Sequence, residues 1–111
     1  MVETPEAVER LDDLLALGVL DAVIVGANDL SMTLGVPAQW ESKPFVDALD
    51  SIVASCKKAN VGSGLGGVFA LDIMKHWVKQ GMTMMYCMSD GAALIQYPAA
   101  RLKEIKQAIA S

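Results

Sequence analysis

A chain of 111 residues, 53% of them hydrophobic, has room for one compact core but not two, and it is too apolar to be a disordered tail. Lys and Arg number 9 against 13 Asp and Glu, giving a net charge of −4; the cations are scattered along helical segments and form no patch of the kind that nucleic acid requires. No apolar run approaches the roughly 18 residues needed to cross a bilayer, and the acidic start MVETPEAVER lacks the basic-then-apolar order of a signal peptide. The expectation is a single domain over residues 1–111, soluble and cytoplasmic, with neither nucleic acid nor membrane as partner.

The elements follow in a regular order. Met1-Val2 reads as the end of a strand. Thr4-Pro5 supplies an N-cap and a first-turn proline, and Val8, Leu11 and Leu15 fall on one face of the helix that follows, with Gly18 as its stop. Asp21–Val25 reads as a buried strand. Lys43-Pro44 opens a second helix with an apolar stripe of Phe45, Leu49, Ile52, Val53 and Cys56. Val61–Gly66 is a thin, glycine-rich strand. A third helix has Leu71, Met74, Trp77 and Val78 facing inward and stops at Gly81. Met82–Met88 is a clear strand, and Pro98 starts a last helix with Leu102, Ile105 and Ile109 on one side. Helices alternating with buried, non-alternating strands mean crossovers in a parallel sheet, an α/β class. Cys56 and Cys87 lack metal-like spacing and read as free thiols. His76 shares a helical face with Asp72 and Lys79 and reads as solvated.

In parallel sheets and βα-barrels, chemistry gathers at the C-terminal ends of strands. Two acids stand there: Glu3 after the first strand end, and Asp29 after VIVG. Neighbouring βα units bring such tips together, and two converging carboxylates suit a hard divalent cation. The same residues also admit a bland reading, with Asp29 capping the turn DLSMTLG and Glu3 solvated near a helix start. A competing motif is GSGLGG, Gly62 to Gly67. It satisfies G-x-G-x-x-G, with Asp90 after the next strand in place to be a ribose-binding acid of a dinucleotide site. Against it, no buried run precedes these glycines, and they occupy the strand position itself.

The stretch VETPEAVERLDDLLALGVLDAVIVGANDLSMTLG resembles the HpcH/HpaI aldolase and citrate lyase family of metal-dependent 2-oxo-acid aldolases. Glu3, Thr4, Ala7, Val8, Leu11, Asp12, Gly26, Asp29, Leu30, Ser31 and Gly35 carry the resemblance, and KQGMTMMYCMSDGAAL is similar to that family's last strand and loop. The resemblance implies parallel βα repeats equivalent to the C-terminal half of a TIM (β/α)8 barrel, a fold of about 250 residues when whole. It implies that Glu3 and Asp29 hold Mg2+ or Mn2+. Gly26, Ala27, Asn28 and Asp29 would offer backbone N–H groups to a substrate carboxylate. The activity implied is retro-aldol cleavage of 4-hydroxy-2-oxo acids, with pyruvate as one product.

The family's catalytic arginine and histidine would lie in a preceding half, and no residue here matches them. Little turnover is therefore expected of the chain alone, and a homo-oligomer or a complementing N-terminal half-barrel is expected to cover its edges. A non-catalytic, truncated barrel fragment or assembly module is the second reading. The chain departs from the family pattern at Ala27, where the family has proline, at Asn28, where it has a small residue, and at Cys87-Met88-Ser89-Asp90, where it has Val-Gly-x-Asp.

Overall fold

The computed structural model describes residues 1–110. Its elements in chain order are α1 (Pro5–Glu9), α2 (Leu11–Leu15), β1 (Ala22–Gly26), α3 (Ala27–Thr33), α4 (Lys43–Ala59), β2 (Gly62–Gly66), α5 (Leu71–Gln80), β3 (Met84–Met85) and α6 (Asp90–Ala110). The strands form one parallel sheet in the order β1-β2-β3, with Ala22 opposite Gly62 and Gly64 opposite Met84. Val2 adds a parallel bridge on the outer side of β1. Its N–H donates to the Ile24 carbonyl (2.9 Å) and its carbonyl accepts from the Gly26 N–H (3.1 Å). The α/β parallel class expected from the pattern is what forms.

The first helix starts as its residues dictate: Pro5 takes the first position and the Thr4 hydroxyl accepts the Ala7 N–H at 3.2 Å. It is interrupted at Arg10 (φ −97°, ψ 11°), so the expected single helix is two short ones ending at Leu15, well before Gly18. α4 is the best-determined element from sequence. Its five expected apolar positions are all buried, and Asn60 closes it in a left-handed conformation (φ 56°). That stripe packs with Leu11, Leu15, Val23, Val25, Leu65 and Trp77 into one hydrophobic cluster. Burial of such side chains contributes roughly 1.5–3 kcal/mol each.

Four further expectations need correction. β1 is not buried on both faces. Val23 and Val25 point into the helix layer while Ile24 is half-exposed on the opposite face, the period-two geometry of a strand covered by helices on one side. The inward face of α5 centres on Ile73 and Trp77, one i,i+4 step; Leu71 (80% exposed) and Val78 (51%) face away from the core. β3 is Met84–Met85 rather than Met82–Met88. Met82 is consumed in closing α5, its N–H donating to the Trp77 carbonyl at 3.0 Å, and β2 offers no ladder partner beyond Leu65.

The last correction concerns α6, which begins at Asp90 and carries Pro98 inside it. The Ser89 hydroxyl accepts the Ala92 N–H (3.1 Å), a capping signal that outranks the later proline. No residue of α6 is buried, and Leu102, Ile105 and Ile109 are exposed. None of the described helices is long and apolar enough to cross a membrane.

Candidate active site

β1 runs into α3 without a loop: Gly26 is the last strand residue and Ala27 the first helical one. Asn28 and Asp29 therefore sit in the first turn of a helix, where backbone N–H groups lack intrahelical acceptors and negative charge is favoured. The Val2 bridge places Glu3 at the neighbouring strand tip. Both acids line one cavity of about 300 Å³, whose walls also include Ile24, Gly66, Gly67 and Tyr86. Convergence of Glu3 and Asp29 on one space is thus a feature of the fold.

Glycines shape this cavity. A Cβ on Gly26 would lie 2.6 Å from Glu3 Oε1 and 2.8 Å from its Cγ, so the missing side chain is the room in which the carboxylate rests. Gly67 has φ +90°, and a Cβ there would lie 2.9 Å from Asn28 Nδ2. The exits of β1 and β2 meet at that contact. The Thr33 hydroxyl lies within bonding distance of the carbonyls of Glu3 (2.9 Å), Asp29 (3.0 Å) and Leu30 (3.0 Å), tying the segment that carries Glu3 to the helix that carries Asp29. Ser31, fully buried, donates to the Asn28 carbonyl (2.9 Å) and accepts the Ala38 N–H (3.2 Å), pinning the following loop.

Among the described residues, neither the Glu3 nor the Asp29 carboxylate has a hydrogen bond or ion pair, and no group of three His, Cys, Asp or Glu side chains converges. Two unpaired carboxylates at one cavity do not make a zinc site, which takes three or four protein ligands rich in nitrogen and sulfur. They do fit Mg2+ or Mn2+, which are held through one or two carboxylates and complete their shells with water and substrate oxygens.

The backbone cradle is narrower than the sequence suggests. The Gly26 N–H already donates to the Val2 carbonyl, so Gly26 contributes space rather than a donor. Ala27, Asn28 and Asp29 line the cavity at the start of α3.

Other sequence candidates lie elsewhere. Gly62–Gly66 is the β2 strand itself, and α5 begins only at Leu71, so these glycines do not open a helix as a dinucleotide turn must. Gly64 serves sheet packing: a Cβ there would lie 2.7 Å from the Met84 carbonyl oxygen. His76 is exposed on α5, its ring 5.0 Å from that of Trp77, outside the cavity. Tyr86 was hidden inside the expected strand. The sequence carried no signal for it, because only the structure ends β3 at Met85 and leaves Tyr86 just past a strand tip.

A family model described as HpcH/HpaI aldolase/citrate lyase matches residues 1–96. The chain belongs to that family. Two curated fungal relatives are the 4-hydroxy-4-methyl-2-oxoglutarate aldolase cghB of Chaetomium globosum, 27% identical over 96 residues, and its namesake tasA of Hapsidospora irregularis, 28% identical over 96. Each alignment covers 85% of this chain and 36% of the relative, so the chain spans little more than a third of their length. Among solved structures, an HpcH/HpaI aldolase from Desulfitobacterium hafniense superposes with a TM-score of 0.78 at 33% identity, over 95% of this chain and 40% of that one. A citrate synthase, SbnG, superposes with a TM-score of 0.76 at 25% identity, over 100% and 45%. This HpcH/HpaI chain is therefore an arc of a (β/α)8 barrel, and its strand tips are the tips around which the cavity is built.

Proposed function

We propose that this HpcH/HpaI chain carries the metal-binding and 2-oxo-acid-binding part of a divalent-metal-dependent aldolase that cleaves 4-hydroxy-2-oxo acids to release pyruvate. The observation that carries the reading is the pair of carboxylates, Glu3 and Asp29, lining one cavity with no partner among the described residues. Glu3 is half-buried and Asp29 exposed, and like charges brought to one cavity repel each other unless a cation joins them. When bound, Mg2+ or Mn2+ would supply Lewis-acid stabilisation of charge developing on the 2-oxo group.

The remaining functions belong to the chain. Glu3 and Asp29 donate carboxylate oxygens from two different strand ends, and Thr33 holds their backbones in register. The first-turn amides of α3 at Asn28 and Asp29 face an anion with partial positive charge, suiting the substrate carboxylate. Gly26 and Gly67 leave the room taken by the Glu3 carboxylate and the Asn28 carboxamide, and Gly66 adds no side chain to the wall, so a small acid can approach the backbone there. Among the described residues the lining contains no histidine, lysine or arginine, so none of these side chains is there to accept the proton from the hydroxyl as the C–C bond breaks. The 111-residue polypeptide is therefore expected to bind metal and pyruvate with little turnover. The same observation favours the second reading, a non-catalytic module that retains the binding site.

The exposed Leu94, Ile95 and Tyr97 of α6 support association with a second copy or with a complementing half-barrel. Light scattering of the purified chain would return a monomer mass if no self-association occurs.

Calorimetric titration of Mg2+ and Mn2+, with and without pyruvate, tests the site on wild type and Asp29→Ala. Metal binding that pyruvate tightens and that Asp29→Ala abolishes is the expected result; absence of binding in wild type would remove the metal site. Pyruvate release from 4-hydroxy-2-oxo acids, assayed in the same samples, separates enzyme from binding module.

A further inference from the structure

We propose a second binding site in the cleft between the loop before α4 and the first turns of α5, with the chemistry to take a small guanidinium compound that carries a carbonyl group. Two adjoining hollows of about 400 Å³ and about 270 Å³ share Trp40, Glu41, Asp72 and Ile73. Neither shares a lining residue with the cavity that holds Glu3 and Asp29.

The floor of the cleft is aromatic. Trp40 is half-buried and braced by the buried ring of Phe45, which meets it edge-on with centroids 5.4 Å apart. Trp77 lies beneath and is only 1% exposed. Its indole N–H makes no hydrogen bond among the described residues, yet none of their buried side-chain nitrogens or oxygens is left without a partner. That N–H therefore reaches accessible space, and the cleft is the space that Trp77 borders. A group that can only donate thus opens into the cleft unused.

The rim is acidic. Glu41 and Asp72 are exposed, and neither has an ion pair among the described residues. Asp72 stands in the first turn of α5, where a helix favours negative charge. The described lining contains no lysine or arginine, and His76 closes one side with its ring edge-on to Trp77 at 5.0 Å. Among the described residues no three carboxylate, imidazole or thiol groups converge, so a bare metal ion is poorly served here.

Indole faces and unpaired carboxylates together favour an organic cation. A guanidinium is planar, so it stacks on an aromatic ring while its fork of N–H donors reaches a carboxylate. A carbonyl a few bonds from that charge would accept the Trp77 N–H.

Both tryptophans of the chain line this cleft, so their two indole N–H resonances report on it directly. The test titrates N-acetyl-L-argininamide, and its uncharged ureido counterpart N-acetyl-L-citrullinamide, into the 15N-labelled chain. Saturable shifts of both indole signals are expected, with the arginine compound bound roughly five- to tenfold more tightly. Glu41→Gln combined with Asp72→Asn should reduce that preference to about twofold or less, and circular dichroism checks that the variant is folded. Asp29→Ala should leave it unchanged. Equal binding of the two compounds, a preference that survives in the double variant, or no saturable shift at either indole overturns the proposal. Loss of the preference in Asp29→Ala would move the cation to the strand-tip cavity and overturn it as well.

Discussion

The carboxylate of Glu3 rests in the space that a side chain on Gly26 would occupy, with Oε1 only 2.6 Å from where that Cβ would stand. The residue that ends β1 thus sets the position of an acid on the neighbouring strand. Gly26 has φ −84°, so alanine is conformationally acceptable there. Gly26→Ala should leave unfolding free energy within about 1 kcal/mol of wild type, since the clash falls on the far end of a flexible side chain. Metal affinity should fall about tenfold, or ~1.4 kcal/mol, because Glu3 is displaced. Urea unfolding and metal titration of one sample separate the two effects.

Glu3→Gln and Asp29→Ala should each remove most metal binding, and the double variant should lose little more, because both acids serve one ion. Neither carboxylate has a partner among the described residues, so stability in metal-free buffer should change by no more than about 0.5 kcal/mol. Fully additive losses of affinity would show that the two acids act at separate places.

Thr33 has no predicted contact with metal, yet its hydroxyl spans the carbonyls of Glu3 and Asp29. Thr33→Val should weaken metal binding several-fold and cost about 1 kcal/mol of stability. Thr33→Ser, which retains the hydroxyl, should restore the affinity. If both variants bind alike, the hydroxyl does not position the acids.

Gly64→Ala should destabilise the fold by about 1–3 kcal/mol. The new Cβ would lie 2.7 Å from the Met84 carbonyl oxygen and 2.8 Å from Ile24 Cδ1, and backbone cannot yield as Glu3 can. Denaturant unfolding checks this, and a neutral result would contradict the close approach of β2 and β3.

Two groups set limits in pH. Asp12 titrates below its ordinary value of 3.8, first through a hydrogen bond with Ser55 and then through Lys58, which reaches it from α4 at 3.3 Å. A carboxyl lowered by folding contributes stability that is present above pH 3.8 and is lost as pH falls through its folded value. Asp12→Asn should therefore flatten the acid limb of the stability curve without altering the alkaline one. Burial raises the Cys56 thiol above 9.0. Its contribution is complete below pH 9.0 and disappears as pH rises from there toward the folded value. A thiol reagent at neutral pH should modify exposed Cys87 readily and Cys56 only on unfolding. Rapid modification of both would show that α4 does not bury its stripe.

The elements most legible in the chain were those set by local rules. Five apolar positions at helical spacing, with a proline at the start, specified α4, and Gly81 in a left-handed conformation (φ +108°) marked the end of α5. The errors came where two local signals competed or where packing decided. Ser89 and Pro98 both announce a helix start, and the hydroxyl cap prevailed because α6 tolerates the proline inside it. Leu71 and Val78 were as apolar as Ile73, but only one face of α5 meets the core.

The sequence by itself determined that a carboxylate follows each of two neighbouring parallel strands, because strand runs, helix caps and glycine stops act over a few residues and can be read in order. Tertiary structure alone decided the rest of the site. Gly26 makes room for Glu3, Gly67 for Asn28, and Tyr86 closes the wall beyond them. These relations join positions far apart in the chain through the register of a parallel sheet. The use of a glycine there depends on which neighbour fills the volume that it leaves.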